Sequence, residues 1–140
     1  MDKVVNILMA EDDQLDVINI QRSLDKMNIL YQLHVAKNGE EAIDILRDLE
    51  GHGMSKLPDF VLIDINMPRM NGVELLATIR QTEEWKQLKC FMITTSSEKA
   101  DMEKARALGV SGYIIKPFKL SNPSSMDAFN LMIDLMNTKV

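Results

Sequence analysis

The side chains able to do chemistry in this 140-residue chain stand at the ends of short apolar runs. Glu11, Asp12 and Asp13 follow the run 4–10, Asp64 closes Phe60-Val61-Leu62-Ile63, and Thr94 leads Thr94-Thr95-Ser96-Ser97 after the run that begins at Cys90. Lys116 follows Gly112-Tyr113-Ile114-Ile115. Carboxylates a few ångströms apart repel by about 4 kcal/mol per pair at 4 Å and an effective dielectric near 20, so something must offset them. Hard oxygen ligands suit Mg²⁺ or Mn²⁺, which take one or two carboxylates and keep waters for an incoming phosphate. Lys116 adds a compact point charge for phosphoryl oxygens, and Thr94 adds a hydroxyl. These groups read as a cradle for phosphoryl transfer: a carboxylate nucleophile, a cation, an ammonium and a hydroxyl. Acyl phosphate formation on an aspartate is a form of covalent catalysis, and the cation neutralises charge during the transfer.

Such a cradle requires elements that bring distant residues to one place. Short apolar runs bounded by turn signals are the pattern of strands buried on both faces of a parallel sheet. The spacing predicts strands at 4–10, 30–36, 59–64, 90–94 and 112–115, the second nearer the sheet edge because it alternates apolar and polar. Between them, apolar stripes predict helices over 15–27, 40–49, 73–81 and 98–108, and a last helix over 126–137. Asp13 is expected to cap the first helix and Ser97 the fourth, with Gly109 ending that fourth helix. Residues 50–58, with two glycines and a proline, read as a loop, as do 119–125. Trp85 is expected to pack under a helix rather than bind a ligand. Five strands alternating with five helices give an α/β, flavodoxin-like doubly wound sheet of strand order 2-1-3-4-5. Its switch point lies beside the first and third strands, where ligands bind outside the carboxyl ends. Glu11, Asp12 and Asp64 therefore meet at one pocket.

Composition sets the limits. Apolar residues form 46% and charged residues 26% of the chain, the balance of a globular protein rather than a disordered or membrane one. No apolar run approaches the roughly 20 residues needed to span a bilayer. The start, Met1-Asp2-Lys3, lacks the features of a signal peptide, so a cytoplasmic protein of one domain, 1–140, is expected. A lone Cys90 excludes an internal disulfide, and a net charge of −5 argues against a general nucleic-acid binder. His34 and His52 are too isolated in sequence to suggest a metal site. The last helix carries Asp127, Asn130, Asp134 and Asn137 in one narrow arc, with apolar residues around the rest. Deep burial and a homodimer or partner surface account for that pattern about equally well.

Glu11-Asp12 after the first strand, Asp64 within Asp-Ile-Asn-Met-Pro-Arg-Met-Asn-Gly, Thr94, Tyr113 and Lys116-Pro117-Phe118 together resemble the signature of response-regulator receiver domains. The resemblance spans essentially the whole chain, and the intervening loops are similar to single-domain regulators, including those paired with bacterial phytochrome kinases. It implies that Asp64 is the phosphoacceptor, with Asp12 a direct Mg²⁺ ligand, Glu11 a ligand partly through water, and the Asn66 backbone carbonyl completing the protein's share. It implies Lys116 as the phosphoryl contact, aimed by a cis peptide to Pro117, and Thr94 with Tyr113 as the switch pair. Asn66 and Ser96 take positions that tune the lifetime of the phosphoryl group.

The resulting expectation is a phosphorylation-activated regulator that takes its phosphoryl group from a sensor histidine kinase or phosphotransfer protein. It would switch the surface of the fourth helix, fifth strand and fifth helix toward a downstream protein. It is not expected to be an enzyme beyond catalysing its own phosphorylation and slow autodephosphorylation, nor to carry an output domain. A relay passing phosphate to another protein's histidine, and an interaction module that is never phosphorylated, are the rival readings. A hydrolase built on Asp64 would need a second acid close after it, where Asn66 stands. A flavin-binding protein of the same architecture would need a Ser/Thr/Gly-rich phosphate loop after the first strand, where this chain has three acids.

Overall fold

Every residue of the central strand is buried, and the rest of the fold is arranged to bury it. The computed structural model describes residues 4–27, 29–95 and 97–116. In chain order these form β1 (Val5–Ala10), α1 (Gln14–Lys26), β2 (Tyr31–Ala36), α2 (Gly39–Arg47), β3 (Phe60–Asp64), α3 (Gly72–Gln81), β4 (Lys89–Thr94), α4 (Lys99–Ala107) and β5 (Gly112–Ile115), with one 3₁₀ turn at Glu50–His52. The five strands are parallel, in the order β2-β1-β3-β4-β5. This is the doubly wound order the alternating pattern predicts. The predicted last helix, the loop before it and Pro117 with its peptide bond lie outside the described residues, as does Ser96.

Side chains alternate across a strand, so one sheet feeds two cores. Leu8, Ala10, Val61, Ile63, Cys90 and Met92 face α2, α3 and α4, which contribute Ala42, Ile43, Leu46, Leu75, Leu76, Ile79 and Ala105. Trp85 is buried in this layer, as its expected packing role requires. Val5, Ile7, Met9, Phe60, Leu62, Phe91, Ile93 and Ile114 face the other way, onto Val17, Ile20 and Leu24 of α1. Phe60 and Phe91 meet edge to face at 5.9 Å across neighbouring strands. Strand β2, at the edge, is buried fully only at Ala36.

Helix starts follow local chemistry. The Asp13 side chain accepts from the N–H groups of Leu15 and Asp16, and Asn38 accepts from Glu41, so both serve the orphan donors of a first turn. Helix α3 begins at Gly72, one residue earlier than its apolar stripe suggests, because Asn71 and Glu74 form a reciprocal capping box. Helix α2 stops at Arg47, two residues earlier than expected, since Asp48 takes an extended φ of −139° and its carboxylate accepts from Gly51 N–H in the 3₁₀ turn that follows. The expected Ser97 cap is not found. The N-cap place of α4 belongs to Glu98, with no side-chain cap bond, and the Ser97 hydroxyl instead meets that of Thr95 at 2.8 Å. Gly109, at φ +74°, closes α4 as expected.

One tie was not visible in the sequence. Arg80, in the last turn of α3, donates to Leu108 O (2.7 Å), Gly109 O (3.0 Å), Leu88 O (2.8 Å) and Lys86 O (3.1 Å). Its planar fork thereby joins the end of α4 to the segments that lead into β4 and β5.

The start of α3 lies hard against the end of β3. A Cβ on Gly72 would stand 2.2 Å from Asp64 O and 2.8 Å from Ile65 Cα, both backbone atoms that cannot step aside. Gly72→Ala is therefore expected to cost about 1–3 kcal/mol, the usual range for overpacking. A lower urea midpoint at an unchanged m-value is the expected readout.

Candidate functional site

The register of the sheet puts the chemistry in one place. Ala10 pairs with Ile63 and Asp64 with Ile93, so Glu11 emerges beside Asp64. Thr94 pairs with Ile115, which brings Lys116 to the same rim, its N–H bonded to Thr94 O at 2.8 Å. Carboxylate oxygens of Glu11, Asp12 and Asp64 all lie within 4.8 Å of one another, the cluster expected from strand order alone. Among the described residues this is the one group of His, Cys, Asp or Glu side chains placed to share a metal ion, and neither histidine belongs to it.

The environments of the three acids differ. Glu11 is 1% exposed and Asp64 4%, whereas Asp12 is open to solvent. Asp64 Oδ1 accepts from the Asn66 N–H at 3.2 Å, and Glu11 Oε2 from the Asp13 N–H at 3.3 Å. Glu11 Oε1 is buried with no hydrogen-bond donor. An orphaned carboxylate oxygen beside two further acids is a donor set that fits a hard divalent cation. A cavity of about 230 Å³ is lined by two of these acids, Glu11 and Asp12, with Gln14, Val17, Val35 and Lys37.

Lys116 supplies the positive charge. Its Nζ is 2.8 Å from Asp16 Oδ2, 3.5 Å from Asp64 Oδ2 and 3.7 Å from Glu11 Oε1. Burial alone would pull the ammonium's pKa down, but the bond to Asp16 and the charges of Asp64, Glu11 and Asp16 more than reverse this, and the net shift is upward. Glu11 is displaced upward too, which for an acid favours the neutral form. Burial first, then the hydrogen bond and charge of Asp64, raise it from 4.5 to about 9 against the opposing pull of Lys116 and the Asp13 N–H.

Hydroxyls and amides complete the rim. Thr94, 1% exposed, donates to Glu98 Oε2 at 2.5 Å and shares its proton with Thr95 O at 2.9 Å. The Asn66 side-chain amide donates to Glu98 Oε1. Tyr113, on the strand next to Thr94, donates its hydroxyl to Met102 O of α4 at 2.6 Å. The Cys90 thiol is buried and pushed up to about 11 by that burial, so it is no nucleophile at neutral pH.

Two contributors escaped the sequence reading. Asp16 stands four residues after Asp12 on α1 and pairs with Lys116, while Glu98 stands four residues after Thr94 and turns back over it. A four-residue offset from a predicted site residue was the available signal, one helical turn in the first case. It marks many surface residues equally.

The Glu11 shift carries a sign that can be tested. A carboxyl whose folded pKa lies above its unfolded value binds more protons in the native state, so it favours folding at low pH and this contribution is lost as pH rises from 4.5 to about 9. Without divalent cations, the protein is expected to lose stability across that window, and Glu11→Gln to flatten the loss in urea titrations at several pH values.

Residues 7–125 match the response regulator receiver domain. The chain is 36% identical over 125 residues to the chemotaxis protein CheY-3 of Vibrio cholerae serotype O1, covering 84% of this chain and 85% of that protein. Among solved structures it resembles the bacteriophytochrome response regulator RtBRR, with a TM-score of 0.78 at 26% identity over 95% of this chain and 78% of that one. It also resembles the Mn²⁺-bound form of response regulator Rcp1, with a TM-score of 0.73 at 26% identity over 96% of this chain and 91% of the other. The likeness to phytochrome-associated regulators expected from the loops is thus found in three dimensions. A family match that reaches into all five strands and takes in the rim where the acids and Lys116 converge makes this protein a member of the response regulator receiver domain family.

Proposed function

We propose that this protein is switched by transfer of a phosphoryl group from a phosphohistidine of a sensor kinase or phosphotransfer protein to Asp64. The observation that carries the reading is the convergence of Glu11, Asp12 and Asp64 within 4.8 Å beside the Lys116 ammonium. In the transfer a carboxylate oxygen of Asp64 attacks phosphorus, the phosphorus–nitrogen bond to the donor breaks, and the imidazole leaves and takes a proton. The Asn66 N–H, already on Asp64 Oδ1, fixes the orientation of the attacking carboxylate. Lys116, 3.5 Å from Asp64, turns from Asp16 to the arriving phosphoryl oxygens.

Mg²⁺ or Mn²⁺, held by Glu11, Asp12, Asp64 and the Asn66 carbonyl, supplies neutralisation of the phosphoryl charge when bound. Support for a cation comes from the orphaned Glu11 Oε1 and from the Mn²⁺-bound form of the related Rcp1. The modification adds about 1.5–2 negative charges if it resembles other phosphorylated side chains. Thr94 and Tyr113 both touch α4, through Glu98 and Met102, so a change at Thr94 reaches a surface made of α4 and β5. That surface is the proposed contact for a downstream protein. Asn66 and Ser96 set the lifetime of the modification, which ends in slow self-hydrolysis, and the protein turns over no other substrate. A cytoplasmic setting is part of the proposal; no helix among the described residues is long and apolar enough to cross a membrane.

Acetyl phosphate with Mg²⁺ tests the assignment by intact mass. The wild type is expected to gain one phosphoryl group, Asp64→Asn none, and chelation of the cation to prevent the gain. Continued labelling of Asp64→Asn would move the site elsewhere. Lys116→Ala is expected to slow labelling on the order of a hundredfold, the usual loss when one donor to a developing charge is removed.

A further inference from the structure

Glu98 occupies a helix N-cap but does not cap. N-caps favour Ser, Thr, Asp and Asn, whose short side chains reach the orphan N–H groups of the first turn. The Glu98 carboxylate instead folds back across the strand ends. Its Oε2 accepts from the Thr94 hydroxyl at 2.5 Å and the Thr95 N–H at 3.3 Å, and its Oε1 accepts from the Asn66 amide. One anion thereby gathers donors from the end of β3, which carries Asp64, and from the end of β4 beside it. A phosphoryl group on Asp64 would bring three anionic oxygens that call for the same donors.

We propose that Glu98 is an internal competitor: its carboxylate holds the Thr94 hydroxyl and the Asn66 amide in the unphosphorylated protein, and the phosphoryl group displaces it and frees the first turn of α4. The proposal rests on the reading of Asp64 as phosphoacceptor and extends it to the group that must yield. A threonine hydroxyl has one proton to donate, so Thr94 cannot serve both anions fully. No covalent step is involved; one set of hydrogen bonds replaces another.

The construction of α4 turns this exchange into motion. Ala105 is the helix's one buried residue, so α4 rests lightly on the core and its opening is inexpensive. Met102 N–H bonds to Glu98 O at 3.0 Å and Met102 O receives the Tyr113 hydroxyl, so one intervening residue connects Glu98 to Tyr113. At the far end Arg80 grips Leu108 O and Gly109 O. Bonds at the start of α4 are exchangeable by an anion, and those at its end are not.

Beryllofluoride binding in Mg²⁺, followed by NMR titration, tests the proposal in wild type, Glu98→Gln and Glu98→Asp. Gln removes the charge, whereas Asp keeps it on a side chain one carbon too short to span Thr94 and Asn66. If the engaged form is favoured about tenfold, releasing it tightens apparent affinity by about tenfold, and both variants are expected to show this. In wild type the same ligand is expected to shift the Asn66 side-chain amide and speed hydrogen exchange at the Met102 N–H. Unchanged or weaker binding in both variants, with wild type responding, overturns the competitor role and leaves the Asp64 reading standing. Tightening in Gln alone assigns the effect to charge and overturns the contact. No Mg²⁺-dependent response in any of the three proteins overturns both readings.

Discussion

Acidic side chains forced together at the end of a parallel sheet are the constraint on which the rest of this molecule depends. Glu11 and Asp64 are almost fully buried and would repel each other if both were ionised, which is part of why the Glu11 carboxyl is pushed up, and the register of β1 and β3, with Ala10 paired to Ile63, holds them together. The fold answers with position rather than with more charge. Lys116 is delivered by the neighbouring strand ladder and anchored through its own N–H to Thr94 O, so its ammonium is brought to the rim by backbone geometry. Gly72 then lets α3 start directly against Asp64 O, closing the β3–α3 connection tightly around the acid. The crowding of acids that would weaken an ordinary core is concentrated at this one rim, where perturbed groups mark a functional site.

That arrangement was legible in outline because it follows from periodicity and topology. Runs of β-branched and apolar residues identify buried strands, strand order follows from alternation, and the switch point of such a sheet is fixed geometrically. Glu11, Asp12, Asp64, Thr94 and Lys116 could be assigned to one rim on those grounds. The features not legible are those in which a long polar side chain chooses among several partners. Asp16 reads as the exposed face of α1, Glu98 as the opening of a helix, and Arg80 as a last-turn cation suited to the helix dipole. Each instead reaches across elements whose spacing no local pattern encodes. Ser97 shows the converse error. It has the right residue type for a cap, but the competition among adjacent hydroxyls and Glu98 directs it to Thr95 instead.

The sheet also explains why the site can be stiff while its surroundings are not. Strands β1, β3 and β4 are buried on both faces, with Phe60 and Phe91 locking neighbours, whereas α4 contributes a single buried side chain. Rigid ladders hold the acids in register, and under the proposed phosphorylation the lightly packed helix is the element left to move. A tightly packed α4 would resist the same change, because packed cores shift between discrete arrangements rather than deform gradually.

The Arg80 clamp has a bearing on the solution conditions in which the protein can operate. Its four partners are carbonyl oxygens, which do not titrate, and a guanidinium stays charged throughout the physiological range. The opposite rim is made of carboxylates and an ammonium whose balance changes with protons, cations and ionic strength. The Arg80 clamp, at the segments that lead into β4 and β5, is therefore chemically indifferent where the opposite rim is responsive. Acidification or a surge of divalent ions would be registered at the strand ends while the Arg80 clamp kept its bonds, giving a receiver in which the junction of α3, α4, β4 and β5 does not drift with the medium.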